Sequence, residues 1–334
     1  MKFYFNKKFP FVTSIIMTLI RPALLSVQKI WDRSPHCSMT DLIRYKNQWF
    51  CSFREGSHHF EGQKGTLRIL TSRDGIAWHT AATFEMDGID LRDPKLSITS
   101  HGQLLLLTGG TIRDENEKYL SLQSYVAFSD DGENWSDFQK ILPPHEWLWR
   151  ITWYQGKAYG ASYRRSDIRD RKKEWISTLW ESPDGLNWRE VVQWDIESHP
   201  NETTLRFFRS GTLAALVRRD GEHDSRAFFG TSDPPYTDWL WKPLPYYVGG
   251  PNFIIGPQDI MWAAGRYLQY TPYGEIEKTF VGTLDFQTLH RLVILPSGGD
   301  CSYPGMLFHE NTLWVSYYSS HEGSSAIYLA RLAT

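Results

Sequence analysis

From residue 27 onward the chain reads as short stretches of alternating apolar and polar residues separated by polar turns that carry glycine. Thr66-Leu67-Arg68-Ile69-Leu70 is one such stretch. Apolar side chains at every second position put one face of a β-strand on a core and leave the other face polar. Three of the intervening turns share the pattern Ser-x-Asp-Gly-x-x-Trp: Ser72 to Trp78, Ser129 to Trp135 and Ser182 to Trp188. A worn fourth copy runs from Ser232-Asp233 to Trp239. Each copy predicts a β-hairpin in which Asp-Gly makes the turn, Ser and Asp bond the turn amides, and Trp covers the apolar side.

The copies recur about every fifty residues, and that period is the signature of a repeat architecture. A second register, independent of the motif, has the same period. Short strands end at Arg54, Gly109, Arg164, Arg218, Arg266 and Tyr318. Each is preceded by a strand that opens near Asp41, Asp93, Arg150, Glu202, Asn252 or Tyr303. Six units of two inner and two outer strands predict an all-β, six-bladed β-propeller of four-stranded blades around a central channel. The last unit has a strand at 326–332 and then the chain stops. Its missing outer strand is expected from Val27 to Asp32, which would close the ring and remove an exposed edge. Residues 27–334 form one propeller domain on this reading, and 1–26 an extension.

Composition narrows the function classes. With 36 basic and 38 acidic side chains the net charge is -2, so there is no electrostatic reason to bind nucleic acid or an anionic membrane. The chain is 41% hydrophobic and 22% charged, which places it among globular rather than disordered proteins. Its 15 Trp, 17 Tyr and 18 Phe favour strands and suit a protein that handles sugars, because flat rings with a polar tip stack on pyranose faces. Three cysteines exclude a disulfide framework. Cys37 and Cys301 precede the inner strands of adjacent units, so a single bridge between them stays open. At the N-terminus, Lys2, Lys7 and Lys8 precede an apolar run from Phe9 to Ile20 that Arg21-Pro22 ends. A basic segment followed by a short apolar stretch favours export to a periplasmic or extracellular space over retention in the cytoplasm. An uncleaved, interfacial extension is the alternative.

Ser-x-Asp-Gly-x-x-Trp resembles the Asp-box of sialidases and their BNR-repeat relatives, one residue shorter than the usual form. In that family the box is structural. The segment from Asn201-Glu202-Thr203 through Gly211 to Arg218 is similar to the sialidase stretch in which a Glu at a strand start is followed by strand, turn and strand ending in Arg. Cys301-Ser302-Tyr303-Pro304-Gly305 opens the last blade, where sialidases place their Tyr nucleophile. The resemblance implies a retaining exo-glycosidase that removes a terminal acidic sugar, with Tyr303 as nucleophile and Glu202 as its base. A carboxylate on the anomeric carbon would repel the carboxylate nucleophile of most retaining enzymes, and a phenol avoids this if a base takes its proton. The implied partner is a glycan with a terminal acidic sugar, and no obligate protein partner is evident.

Two departures bear on the site. The family's first-blade Phe-Arg-Ile-Pro should fall near residue 40, where this chain has Thr40-Asp41-Leu42-Ile43, so one carboxylate-binding arginine is displaced. Arg54 or Arg92 would have to replace it. Arg54, Arg164, Arg218 and Arg266 share one blade position and would together trap a carboxylate, unless they pair across the channel with Asp41 or Asp93. Gly109-Gly110 leaves room for a ligand at that position of blade two. Asp41 and Asn252, at strand starts, are expected to reach the substrate. The general acid is Asp93, His59 or Glu61, with Asp93 preferred because it opens an inner strand. His58, His59 and Glu61 have no further ligand at fixed spacing, so neither a metal nor another cofactor is expected. A carbohydrate-binding propeller without catalysis, and a glycosidase directed at uronic acids, are the competing readings.

Overall fold

The computed structural model describes residues 21–59, 65–114, 116, 118–167 and 174–334. These residues form six antiparallel four-stranded sheets arranged as the blades of a propeller, with one short 3-10 turn at Pro257–Asp259. Strand β1 (Ala23–Trp31) is set aside for the last blade. Blade one is β2 (His36–Tyr45), β3 (Gln48–Gly56), β4 (Thr66–Ser72) and β5 (His79–Phe84). Blade two is β6 (Ile89–Ile98), β7 (Leu104–Arg113), β8 (Tyr119–Ser129) and β9 (Gln139–Ile141). Blade three is β10 (Trp147–Tyr154), β11 (Lys157–Arg165), β12 (Trp175–Ser182) and β13 (Arg189–Trp194). Blade four is β14 (Pro200–Phe207), β15 (Leu213–Arg219), β16 (Phe228–Ser232) and β17 (Leu240–Pro243). Blade five is β18 (Gly249–Ile255), β19 (Met261–Thr271), β20 (Gly274–Leu284) and β21 (Leu289–Ile294). Blade six is β22 (Cys301–His309), β23 (Thr312–Ser319) and β24 (Ala326–Ala333), completed by β1.

The closing strand begins at Ala23, earlier than the expected Val27, and Ala23 pairs with Ala333. Pairing β1 with β24 makes β24 an interior strand of the last blade and covers the edge it would otherwise expose. The apolar segment before Arg21, with its bearing on export, lies outside the described residues. All three cysteines are buried free thiols, so the bridge between Cys37 and Cys301 is not formed.

The repeated turns behave as their chemistry dictates. In the first, Ile76 and Ala77 donate their amides to Asp74 Oδ1 at 2.8 and 3.0 Å, and Gly75 donates to Ser72 Oγ at 2.9 Å. Trp78 Nε1 donates to the Gly75 carbonyl at 3.2 Å. The second and third copies repeat these bonds through Asp131 and Asp184. Each central glycine has a φ of 73–84°, the left-handed region that a side chain disfavours. These turns join the third and fourth strands of blades one to three, at the opposite end of the blades from the starts of the innermost strands.

Six apolar clusters lie mostly between neighbouring blades, and the second strands are buried almost throughout: Leu104 to Gly110 have no exposed residue. Each innermost strand carries one register shift, between Ser38 and Asp41 in β2, Arg92 and Lys95 in β6, Leu148 and Ile151 in β10, Pro200 and Thr203 in β14, Gly249 and Asn252 in β18, and Ser302 and Gly305 in β22. A bulge bends its strand and re-aims the side chains beside it. Six bulges at one level therefore turn six short segments toward the channel mouth.

Candidate active site

At the bulges of blades two, four and six stand Asp93, Glu202 and Tyr303, and all three line one cavity of about 250 Å³. The Tyr303 hydroxyl donates to Glu202 Oε1 at 2.5 Å. Arg218 Nη1 donates both to Glu202 Oε2 at 2.9 Å and to the Tyr303 oxygen at 3.1 Å. The Gly250 amide donates to Glu202 Oε2 at 2.8 Å. The carboxylate is thus bound on both oxygens, and the phenol oxygen lies between that carboxylate and a guanidinium.

Backbone geometry fixes these groups. Asp93 and Tyr303 sit at φ of 50° and 51°, and Met39, at the equivalent bulge of blade one, at 63°. Gly250 has φ 57°, and a Cβ there would lie 2.8 Å from Cγ and Cδ2 of Tyr303. Glycine at this bulge lets the Tyr303 ring lie against backbone, and the amide it exposes is the one that binds Glu202.

Burial and charge push the titratable groups apart. Burial alone would raise the Glu202 pKa, but the Arg218 charge and the bonds from Tyr303 and Gly250 outweigh it and hold the carboxyl below its ordinary value. Burial raises Asp93 to about 6; Lys95 opposes the shift and the Glu202 charge adds to it. Its Oδ1 is buried with no hydrogen-bond partner. Burial and the neighbouring Glu202 charge raise the Tyr303 phenol well above its ordinary value, against Arg218 and Arg266. One carboxylate ionised below its ordinary range and one carboxyl that keeps its proton up to about pH 6 form a pair suited to acid–base work.

The expected arginine cluster is not assembled. Arg54 is completely buried and pairs with Asp90, Nη2 to Oδ1 at 2.8 Å, while its Nη1 donates to the His58 carbonyl. Glycines at 56 and 65 make room for it, since a Cβ at either would lie within 2.6 Å of the guanidinium. Arg54 therefore braces blade one against blade two and does not face the cavity. Arg164 lines the cavity on the blade-three side and pairs with Glu146 at 2.9 Å. Arg92 lines the blade-two side and pairs with Asp90. Arg218 and Arg266 remain next to Tyr303, with the Arg266 guanidinium 5.5 Å from the ring centroid. Both face carboxylates of the chain itself: Glu202 and Asp220 for Arg218, Glu277 and Asp300 for Arg266.

Three further expectations are corrected. Asp41 is 2% exposed and accepts Arg150 Nη1 on both oxygens at 2.8 Å, so it ties blade one to blade three beneath the cavity. Asn252 is buried, accepts Arg206 Nη2 at 3.0 Å and donates to the Pro304 carbonyl at 2.9 Å, so its amide is spent on the scaffold. Gly109 leaves no space for a ligand, because the Trp147 ring would lie 2.5 Å from a Cβ there. Of the alternatives for the acid, His59 lines the cavity but is engaged with Asp300 at 2.7 Å, and Glu61 lies outside the described residues.

Sequence reasoning missed the wall contributed by blades two and three. Tyr163 and Trp175 stack there at 5.3 Å and 12°, beside Trp147, whose Nε1 is buried with no partner. The signal was in the register: Tyr163 immediately precedes Arg164, and Trp147 opens the inner strand of blade three. Also missed were His36 and Asp300, which meet where blade six closes on blade one.

No protein-family model matches the chain, and no curated protein matches it by sequence. Solved structures do match. A protein of unknown function from Dyadobacter fermentans superposes with a TM-score of 0.80 at 18% identity, over 93% of this chain and 99% of the other. An α-L-arabinofuranosidase from Fusarium graminearum, solved as a mutant with an iminosugar inhibitor, gives 0.69 at 12% identity over 92% and 97%. The Trypanosoma rangeli sialidase, in complex with the inhibitor DANA, gives 0.65 at 13% identity, over 94% of this chain and 58% of that one. At these identities the similarity establishes the six-bladed fold, which these glycosidases share.

Proposed function

We propose that this chain is a retaining exo-glycosidase that removes a terminal acidic sugar, with Tyr303 as nucleophile, Glu202 as its base and Asp93 as general acid. The observation that carries the reading is the 2.5 Å bond from the Tyr303 hydroxyl to Glu202, with Arg218 Nη1 on both groups. As the phenol oxygen bonds to the anomeric carbon, its proton passes to Glu202, and Arg218 stabilises the charge that develops between them. Asp93 gives its proton to the leaving glycosidic oxygen. In the second half-reaction the same carboxylate takes a proton from the water that releases the sugar from Tyr303, and Glu202 returns its proton to the phenol. A cavity of about 250 Å³ is small against the ~300–1,000 Å³ of typical ligand sites, which suits one terminal ring rather than a chain threading through. A substrate carboxylate on the anomeric carbon would meet the partly exposed edges of Arg218 and Arg266, at 16% and 11%.

A second reading has its own support. Because Arg218 and Arg266 already face four carboxylates of the chain, a neutral sugar such as an α-L-arabinofuranoside would need no surplus positive charge there. In that case Glu202 is itself the nucleophile, and Tyr303 positions it. The deciding experiment measures release from fluorogenic sialoside, uronide and α-L-arabinofuranoside by wild type, Tyr303→Phe and Glu202→Gln. Sialoside release abolished by Tyr303→Phe supports the first reading. Arabinofuranoside release that survives Tyr303→Phe and fails in Glu202→Gln supports the second. Release of none of the three, with the sugars still bound, overturns catalysis and leaves a carbohydrate-binding propeller.

A further inference from the structure

We infer that His36, His59 and Asp300 form a site for a divalent transition-metal ion at the seam between blades one and six. His36 opens β2, His59 lies in the segment after β3, and Asp300 immediately precedes β22. His36 Nε2 lies 2.9 Å and His59 Nδ1 2.7 Å from the same carboxylate oxygen, Asp300 Oδ2, and the three ligand atoms are all within 4.8 Å of one another. Two ring nitrogens aimed at one carboxylate oxygen are what a three-ligand metal site looks like before the ion enters. Metal–ligand bonds of about 2.1 Å put neighbouring ligand atoms about 3.0–3.4 Å apart, so each ring has to move back by less than about 1 Å.

The surroundings of Asp300 fit a ligand role. Its other oxygen, Oδ1, accepts the Tyr318 hydroxyl at 2.6 Å and faces Arg266 Nη2 at 3.4 Å. One oxygen is thus anchored and the other offered, the outer-shell arrangement that orients a carboxylate ligand. Arg266 does not make the site electropositive, because Glu277 pairs with it at 3.2 Å and Asp300 leaves one negative charge in surplus. Side-chain exposures of 13%, 29% and 30% for His36, His59 and Asp300 leave room for water to complete the coordination. Two imidazoles with one carboxylate suit zinc, iron(II) or cobalt(II) and are a poor set for calcium or magnesium, which take oxygen ligands. His59 also lines the cavity, with its ring 6.5 Å from that of Tyr303, so the ion would sit at the cavity's edge. If the function proposed above holds, the ion adds positive charge where Arg218 and Arg266 are already faced by carboxylates. Metal binding itself does not depend on that reading.

The test is a titration of the chelator-treated full chain with cobalt(II), followed by its visible absorption, with zinc binding measured by calorimetry and neither assay containing a sugar. One ion per chain is expected, with a cobalt band and a dissociation constant in the micromolar range or below. His36→Ala and Asp300→Asn are each expected to weaken binding by 100-fold or more. His59→Gln, in the segment outside the strands, serves as the variant least able to disturb folding, and a metal-dependent rise in Tm should disappear with it. Absence of the band, millimolar binding, or equal affinity in wild type and folded variants overturns the site.

Discussion

Asp93→Asn should make the protein more stable at neutral pH while abolishing its activity. Asn is as tolerant of the left-handed backbone at φ 50° as Asp, so the substitution changes the charge and not the turn. Asp93 is raised from 3.8 to about 6 in the folded chain, mainly by burial. That rise corresponds to about 3 kcal/mol against the ionised form. The sign follows from proton counting. Between pH 4 and pH 6 the folded state holds a proton that the unfolded state has lost, so the wild type loses stability as pH rises through this window. Above pH 6 the loss is complete, and below pH 4 it is absent. The penalty from the pKa rise is already net of the attraction to Lys95. Asn carries no such penalty, but its amide brings buried donors to a place where Asp93 Oδ1 has no partner, which leaves an expected gain of about 1–3 kcal/mol. For 334 residues the unfolding entropy is about 0.7 kcal/mol/K, so the melting temperature should rise by about 1–4 °C at pH 7.5. Thermal unfolding of both proteins from pH 3.5 to 8 is the assay. Curves that coincide at pH 3.5 and separate through pH 4–6 are expected. A separation that is flat with pH, or a variant less stable at pH 7.5, refutes the account of Asp93 as a buried carboxyl whose ionisation burial opposes.

Two further outcomes are expected. Lys95 is buried, donates to the Thr40 carbonyl at 3.0 Å, and opposes the rise of Asp93; Lys95→Met should therefore move the alkaline limb of kcat/KM, set by Asp93 near pH 6, upward by about one pH unit. A limb that stays in place would remove Asp93 as the acid. Gly250→Ala places a methyl group 2.8 Å from the Tyr303 ring and should lower kcat by about 100-fold, as a displaced reacting group does. Gly102→Ala is its control: the residue has φ 79° with nothing within 4 Å, so it should cost about 1–2 kcal/mol of backbone strain and leave kcat unchanged.

The fold was legible because its signals are local and repeated. Asp74, Asp131 and Asp184 each bond their own turn, so the hairpins follow from a few adjacent residues. The blade register then placed Asp93, Glu202 and Tyr303 at one level, and alternate blades brought them together. Register gives the position of a Cα at the channel mouth and not the direction of the side chain. Arg54 and Arg266 share a register position, yet the first turns outward to Asp90 through space left by Gly56 and Gly65, and the second lies beside Tyr303. Gly109 misled for the converse reason, since the room it leaves is filled by Trp147 of the next blade. His36 and Asp300 are 264 residues apart and meet only because the ring closes between blades six and one. Nothing local in either segment points to the other.

The division of labour among the blades has a physical basis in their bulges. Met39, Asp93, Gly250 and Tyr303 occupy the left-handed region at the bulges of blades one, two, five and six, and only one of them is glycine. Each non-glycine residue there costs about 1–2 kcal/mol relative to an ordinary strand conformation. A propeller can sustain this because the strand beyond each bulge re-enters a fully bonded ladder, as Lys95 to Ile98 do against Leu104 to Leu107. Below the bulges, charge-assisted bonds join blade one to blade three through Asp41 and Arg150, and blade four to blade five through Arg206 and Asn252. Those bonds tie inner strands together beneath the cavity that Asp93, Glu202 and Tyr303 line. Asp41 and Asn252, expected at the substrate, serve this scaffold instead: Asp41 holds Arg150, and Asn252 donates to the carbonyl of Pro304, next to Tyr303. Strain at the bulges and ionic bracing beneath them are two parts of one arrangement: the first aims Asp93 and Tyr303 at the cavity, and the second resists relaxation of that aim.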